Sequence, residues 1–362
     1  MTQEEILLRK SLRNGKTFTP LVDDTDVSPN QKEVVTAPLW SNSKSSLLAI
    51  HTSSAQSSNQ QRYYYEVYNS QSNLQGAAAQ FSVAYGDALA SGSSTGSFGQ
   101  NLYDYPTKAI YAQYRQLLLT AGDTLFTFAN DETSDYIYVI NVNRSRFKDR
   151  MDTKNWQLSL GSLNANGTYN GATVINLIDD ATSATTELSQ QGGRVYNVRS
   201  GSITNGIYTS DTTPWGLFYP DHGVIVLNGK ALNASASFAT PRNPATASGD
   251  DSAFRIFTSI SGAIAANSTN NAFQGRTSEV IASTYYFVRL YNGEYNYSTN
   301  SSFVTGSTGV VKYDSMVTDP QTYVTTVGLY DDNQELLAVA KLSKPIKKAF
   351  DRELVIKVKL DY

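Results

Sequence analysis

Apolar residues in this sequence come in short runs rich in Val, Ile, Tyr and Thr and bounded by Gly, Asn, Asp or Ser, and that punctuation limits most of the chain to strands. Arg62–Tyr68, Ala79–Tyr85, Val174–Ile178, Gly223–Leu227 and Tyr285–Tyr291 all have this character. Tyr136–Val142 is a near-continuous apolar run, which suits a strand covered on both faces and marks the centre of the main core. One segment departs from the pattern. After Pro106, Ile110, Tyr114, Leu117 and Leu118 fall at helical spacing, and Gly122 suits the position just past a helix end. The expected fold class is mainly β with a minor helical part, a β-rich α+β chain of antiparallel sheets or a sandwich. One prominent helix near 106–120 packs on a sheet, and the terminal segments are extended.

The order along the chain follows from its breakers. Residues 1–36 read as an N-terminal arm, with Ile6, Leu7 and Leu8 on a short helix before Gly15, Pro20 and Pro29 interrupt regular structure. Residues 37–345 read as a β-rich body, open to division into two subdomains. Within it Asn228-Gly229 is expected to turn the chain after Gly223–Leu227. Residues 231–277, dominated by Ala, Ser, Thr and Asn, offer little apolar area and read as insertion-like loops. Two hairpins follow: Tyr285–Tyr291 and Glu294–Ser298 around Asn292-Gly293, then Thr322–Tyr330 and Glu335–Leu342 around Asp331–Gln334.

Residues 346–362 form a basic C-terminal strand in which Leu354, Ile356, Val358 and Leu360 point one way while Val355, Lys357 and Lys359 point the other. Such a strand needs ladder partners, either from the 322–342 hairpin of its own chain or from a neighbouring subunit. The candidate interface residues are therefore Ile6, Leu7, Leu8, Leu354, Ile356, Lys357, Val358, Lys359 and Leu360.

Composition narrows the function. A net charge of −3 gives no positive field over the whole molecule to neutralise phosphates, so specific nucleic-acid binding is not expected. The charge is uneven: Lys341–Tyr362 holds seven Lys/Arg against three Asp/Glu, a local +4 that leaves −7 for the rest. The chain has no cysteine, so disulfides and thiolate metal sites are excluded. The first residues lack the long apolar core of a signal peptide, and no run approaches a membrane span, so the expectation is synthesis in a host cytoplasm without export or membrane insertion.

Residues able to carry chemistry are sparse. Only His51 and His222 are available as imidazole ligands, and no metal-binding spacing surrounds them. Gly92-Ser-Ser-Thr-Gly96 matches the letters of a nucleophile elbow around Ser94, but neither a strand leads in nor a helix leads out. Asp179-Asp180, Asp250-Asp251 and Asp331-Asp332 sit in turn-like contexts, where Asp bonds its own backbone. No catalytic residues, metal or cofactor are assigned, and the chain reads as a non-enzyme. Tyr63–Tyr65, Tyr285 and Tyr286 suit an interface or a sheet core, with a sugar-binding groove as a third use.

The stretch from Val327-Gly-Leu-Tyr-Asp-Asp-Asn-Gln-Glu-Leu-Leu to Ser343-Lys-Pro-Ile-Lys-Lys348, continuing into Phe350-Asp-Arg-Glu-Leu-Val-Ile-Lys-Val-Lys-Leu360, resembles the C-terminal signature of virion structural proteins of contractile-tailed cyanophages. Trp40 with Thr52-Ser-Ser, Tyr111–Leu119 and Tyr136–Arg146 resemble the same family in the same order. The resemblance implies a myovirus particle component, a tail or baseplate subunit whose partners are other virion proteins and copies of itself. It carries no site residues. A receptor- or glycan-binding fibre connector is the alternative, and a neck or capsid-associated protein a further one.

Overall fold

The computed structural model describes residues 27–41, 46–47, 49–52, 64–71, 75–90, 106–182, 188–203, 207–208, 212–238, 249–266, 273–306 and 309–362. Its longer strands, in chain order, are β1 (Val27–Pro38), β2 (Tyr64–Tyr68), β3 (Ala79–Asp87), β4 (Tyr136–Val142), β5 (Arg150–Leu163), β6 (Tyr169–Asp179), β7 (Gly193–Ser202), β8 (Gly216–Tyr219), β9 (Val224–Asn228), β10 (Phe273–Leu290), β11 (Gln321–Tyr330), β12 (Leu336–Ala349) and β13 (Leu354–Asp361). The longer helices are α1 (Pro106–Leu118), α2 (Gly229–Ala236) and α3 (Gly249–Ala266). Among the described residues strands account for 52% and helices for 17%, so the protein is mainly β, with a large antiparallel sheet and few helices. The chain divides into a larger unit, Val34–Glu279, and a smaller one formed by Val280–Tyr362 with residues up to Glu33; the division runs through β1 and β10.

In the larger unit the strands lie in the order β10, β5, β6, β7, β8, β9, β4, β3, β2, each antiparallel to its neighbour. Two meanders, β2–β4 and β5–β9, are thus joined where β4 meets β9. The alternation along β4 explains why this junction is central. Tyr136, Tyr138, Ile140 and Val142 join a core closed by Ala231, Leu232 and Ala236 of α2 and Ala253, Ile256 and Ile260 of α3. Ile137 and Val139 instead join Tyr111, Tyr114 and Leu118 of α1. A strand with helices over both faces has no solvated side, which is why its sequence is apolar throughout.

The prominent helix is α1, beginning at Pro106 as expected. It lies so close to β3 that a Cβ on Gly86 would stand 2.8 Å from the Tyr111 nitrogen, so only glycine allows the approach. Tyr111 fixes the helix further. Its buried hydroxyl donates to Ser134 O at 2.8 Å and accepts from Phe126 N at 3.0 Å, and burial pushes its pKa up to about 12.

The reading of 231–277 as insertion-like loops is corrected. Its described residues form α2 from Gly229, α3 and the start of β10. Ala253, Ile256, Ile260 and Ala263 fall three or four residues apart and are fully buried. Small residues are required there because α3 lies tightly on β5: a Cβ on Gly161 would come within 2.4 Å of the Tyr169 ring and one on Gly262 within 2.5 Å, and Ser259 Oγ donates to Gly161 O at 2.7 Å. Composition alone hides such a helix, since a tight interface and a loop both favour small residues. Asn228-Gly229 also differs from expectation. Asn228 caps α2 instead of turning a hairpin, its side chain accepting from Lys230 N at 3.0 Å.

The smaller unit is built on two antiparallel ladders. Residues 283–290 of β10 pair with 354–361 of β13, from Ser283 opposite Asp361 to Leu290 opposite Leu354. β11 and β12 pair with each other across the Asp331–Gln334 turn, where Asp331 Oδ1 accepts from Glu335 N at 2.7 Å. Leu290, Val327, Ile356 and Val358 form their shared core, with Tyr286, Val288, Val324, Leu329, Leu342, Ile346 and Leu354 packed around it.

The expected hairpin across Asn292-Gly293 is absent. Glu294 accepts from Tyr291 N at 3.0 Å and Asn296 donates to Asn292 O at 2.7 Å, closing the segment into turns. Lys348, fully buried, holds those turns in place by donating to Asn292 O (2.9 Å), Asn296 Oδ1 (3.0 Å) and Ala349 O (3.1 Å).

Candidate assembly interface

The candidate interface residues meet different fates. Ile6, Leu7 and Leu8, with the arm as far as residue 26, lie outside the described residues. The described remainder of the expected arm, from Val27, is part of strand β1. On β13 the alternation is as expected: Ile356 and Val358 are buried, Leu354 and Leu360 half-buried, and Val355, Lys357 and Lys359 exposed. The partner is not the 322–342 hairpin, however. The backbone ladder goes to β10, while β11 and β12 meet β13 through side chains alone. The apolar face of β13 is thus occupied within its own chain. Its lysines are held too. Lys357 Nζ lies 3.9 Å from the Tyr285 ring centroid, and Lys359 is paired with Glu33 and with Asp361.

Most of the side chains left uncovered among the described residues lie elsewhere in the same unit. Among the described residues, exposed large apolar side chains are Val34, Val35, Tyr64, Leu89, Leu117 and Phe254 in the larger unit. The smaller unit carries Val280, Tyr291, Tyr295, Tyr297, Val310, Tyr313, Val317, Tyr323, Tyr330, Leu336, Leu337, Val339, Phe350, Val355 and Tyr362. That is fifteen against six, on much the shorter stretch of chain. Four of them, Tyr330, Leu336, Leu337 and Val339, crowd the tip of the β11–β12 hairpin. There Gly328 leaves room for the Tyr330 ring: a Cβ would sit 2.8 Å from that ring and 3.3 Å from Leu336. Soluble surfaces seldom gather apolar side chains so densely unless something covers them. A sequence signal for this patch does exist. Leu336 and Leu337 are consecutive in a strand, so they cannot both face one core.

The candidates for chemistry do not converge. Ser94 lies outside the described residues. His51 is half-buried in a short strand opposite Tyr68, and His222 is exposed in the turn between β8 and β9. Among the described residues no group of three His, Cys, Asp or Glu is placed to hold a metal ion. Asp179 behaves as a backbone-binding turn residue: Oδ1 accepts from Ala181 N at 3.0 Å and Oδ2 from Lys154 N at 2.8 Å, while burial raises its pKa to about 6. Asp180 accepts from the backbone and side chain of Asn197. Asp250 and Asp251 lie in the first turn of α3, so the turn reading does not apply to them.

A shallow depression of about 460 Å³ is lined by Asn130, Glu132, Thr212, Pro214, Lys230 and Ser235 among others. Its charged groups are already engaged, Glu132 accepting from Asn228 Nδ2 at 3.1 Å and Lys230 donating to Thr133 O at 2.6 Å. No helix among the described residues is long and apolar enough to cross a membrane. No family model, no curated protein and no solved structure matches this chain.

Proposed function

We propose that this protein is a structural subunit of a phage virion, a tail or baseplate component that performs no chemistry and holds its neighbours through the smaller unit. The observation that carries the reading is the gathering of exposed aromatic and aliphatic side chains on that unit, fifteen against six among the described residues, with the densest group at the β11–β12 tip. Such a surface is costly to leave in water and is covered in an assembly. The resemblance of Val327–Leu360 to virion structural proteins of contractile-tailed cyanophages supplies the kind of assembly.

The test is localisation in purified particles with an antibody raised against the smaller unit's hairpin and a second raised against the larger unit. Labelling of the baseplate or tail by the second antibody, with the hairpin epitope masked until particles are disrupted, is the expected result. Labelling at fibre tips would favour the receptor-binding alternative, and absence from particles would refute the reading.

A further inference from the structure

The β11–β12 hairpin forms a two-stranded sheet of its own, so each strand keeps one edge of backbone N–H and C=O groups that no other described strand covers. The two edges are not alike. β12 carries Lys341, Lys344, Pro345 and Lys347. Proline has no N–H to give, and a row of lysines repels another copy of itself. Both irregularities of the ladder also fall on β12. Between Val324 and Thr326 the partner jumps from Ile346 to Lys341, and between Leu329 and Tyr330 it jumps from Ala338 to Leu336. The extra residues are thus all on one side, and bulges blunt an edge further. β11 has none of these devices. Its ten residues, Gln-Thr-Tyr-Val-Thr-Thr-Val-Gly-Leu-Tyr, contain no charge and no proline. Tyr323, Thr325, Thr326 and Tyr330 are exposed along it. A regular, uncharged edge of this length is a template for strand addition.

We propose that the free edge of β11 pairs antiparallel with β11 of a second copy of this chain, about a two-fold axis at Thr326, so that two hairpins become one four-stranded sheet. This rests on the assembly reading above and names one partner in it. The occupant is argued from charge. Each hairpin has an acidic tip, Asp331, Asp332 and Glu335, and a basic shaft, Lys341, Lys344 and Lys347.

Antiparallel pairing sets the acidic tip of one copy beside the basic base of the other, whereas parallel pairing would set tip against tip. With strands about 4.8 Å apart and residues about 3.4 Å apart along each, Lys347, opposite Tyr323 in its own ladder, stands two strands across and two residues along from Asp331 of the other copy, roughly 12 Å at the backbone, which the lysine's own length brings within the screening length of physiological salt. Asp319 lies at the same end as Lys347, with its carboxylate already accepting from Gln321 Nε2 at 2.7 Å. The same register places Thr326 of each copy opposite Thr326 of the other, Val324 opposite Gly328 and Tyr323 opposite Leu329. The lysine-bearing β12 strands then lie on the outside, where their edges end the sheet.

Because the natural chain has no cysteine, a single introduced thiol reports one contact. Thr326→Cys and, as a control on the other strand, Ser343→Cys are purified as full-length protein, oxidised mildly and run without reductant. The expected result is a covalent dimer as the main product for Thr326→Cys and background dimer for Ser343→Cys. Thr326→Lys, a change at an exposed position that sets like charges across the axis, is expected to weaken dimerisation in sedimentation equilibrium by at least about tenfold. Equal cross-linking of the two thiols, a wild-type protein that sediments as a monomer at high micromolar concentration, or a dimer indifferent to Thr326→Lys would each overturn the proposal. These outcomes are independent of particle labelling. A monomer found in the baseplate would remove this contact and keep the virion reading, and a dimer absent from particles would do the reverse.

Discussion

Replacing Lys348 by methionine keeps the length and apolar stem of the side chain and removes only its charge and three hydrogen bonds. The ammonium is fully buried and donates to Asn292 O, Asn296 Oδ1 and Ala349 O at 2.9–3.1 Å. Asn292 is exposed and recovers water, and Ala349 O keeps the bond from Arg352 N at 3.3 Å, but Asn296 is 6% exposed and its Oδ1 is left without a donor. That stranded acceptor costs about 1–3 kcal/mol. Burial disfavours the ammonium, lowering its pKa, so its removal relieves part of that cost. The expected net loss is about 1–2 kcal/mol, confined to the smaller unit.

Hydrogen exchange of the β11–β13 amides reads that unit. Tryptophan fluorescence reads the other, because Trp40, Trp156 and Trp215 all lie between Val34 and Glu279. A Lys348→Met, Asn296→Leu double cycle isolates the pair, with an expected coupling of about 1–2 kcal/mol. A loss under ~1 kcal/mol with no coupling would refute the view that this lysine organises the 292–298 turns.

Three further outcomes are expected. Asp179 has its pKa raised from 3.8 to about 6 by burial, so its contribution to stability is fully present below pH 3.8 and lost as pH rises through 6. Denaturant titrations at pH 4 and pH 7.5 should show wild type losing up to about 3 kcal/mol more than Asp179→Asn across that interval. Ile356→Ala should cost about 2–4 kcal/mol by emptying the small core, measured by denaturant unfolding, whereas Lys359→Ala on the exposed face of the same strand should change little. Gly86→Val should push α1 off β3, exposing Tyr111 and lowering its phenol pKa from about 12 toward the ordinary range in a spectrophotometric titration.

What could be read in advance was whatever depends on neighbours in sequence. Leu354, Ile356, Val358 and Leu360 had to share a face because strand geometry alternates, and they do. Ile110, Tyr114 and Leu118 had to lie on one side of a helix for the same kind of reason, although Leu117, grouped with them, is exposed. What could not be read depends on partners distant in the chain. That β13 would pair with residues 283–290, and not with the hairpin nearer to it, is decided by which ladder leaves Val327 and Ile356 facing each other. α3 was hidden because Gly262 and Ser259 look like loop residues until Tyr169 and Gly161 are seen against them. The exposed patch was partly visible in Leu336-Leu337, but its density emerged only when burial could be assigned to each unit.

The division at Glu279 passes through the middle of β10, and this has a bearing on synthesis at the ribosome. The larger unit uses β10 as far as Ser278, opposite Arg150, so its long-range pairings are available once residue 279 has emerged. The second half of the same strand has to wait until Leu354–Asp361 has been made before its ladder can close. During that interval Tyr285, Tyr286, Phe287 and Val288 form an uncovered edge with no lysine of β13 beside it, the arrangement most prone to pairing with a stranger. A stop codon or a proteolytic cut between these two points would make that interval permanent. Truncated chains of this kind should therefore be lost to aggregation even though the larger unit's strands are all present.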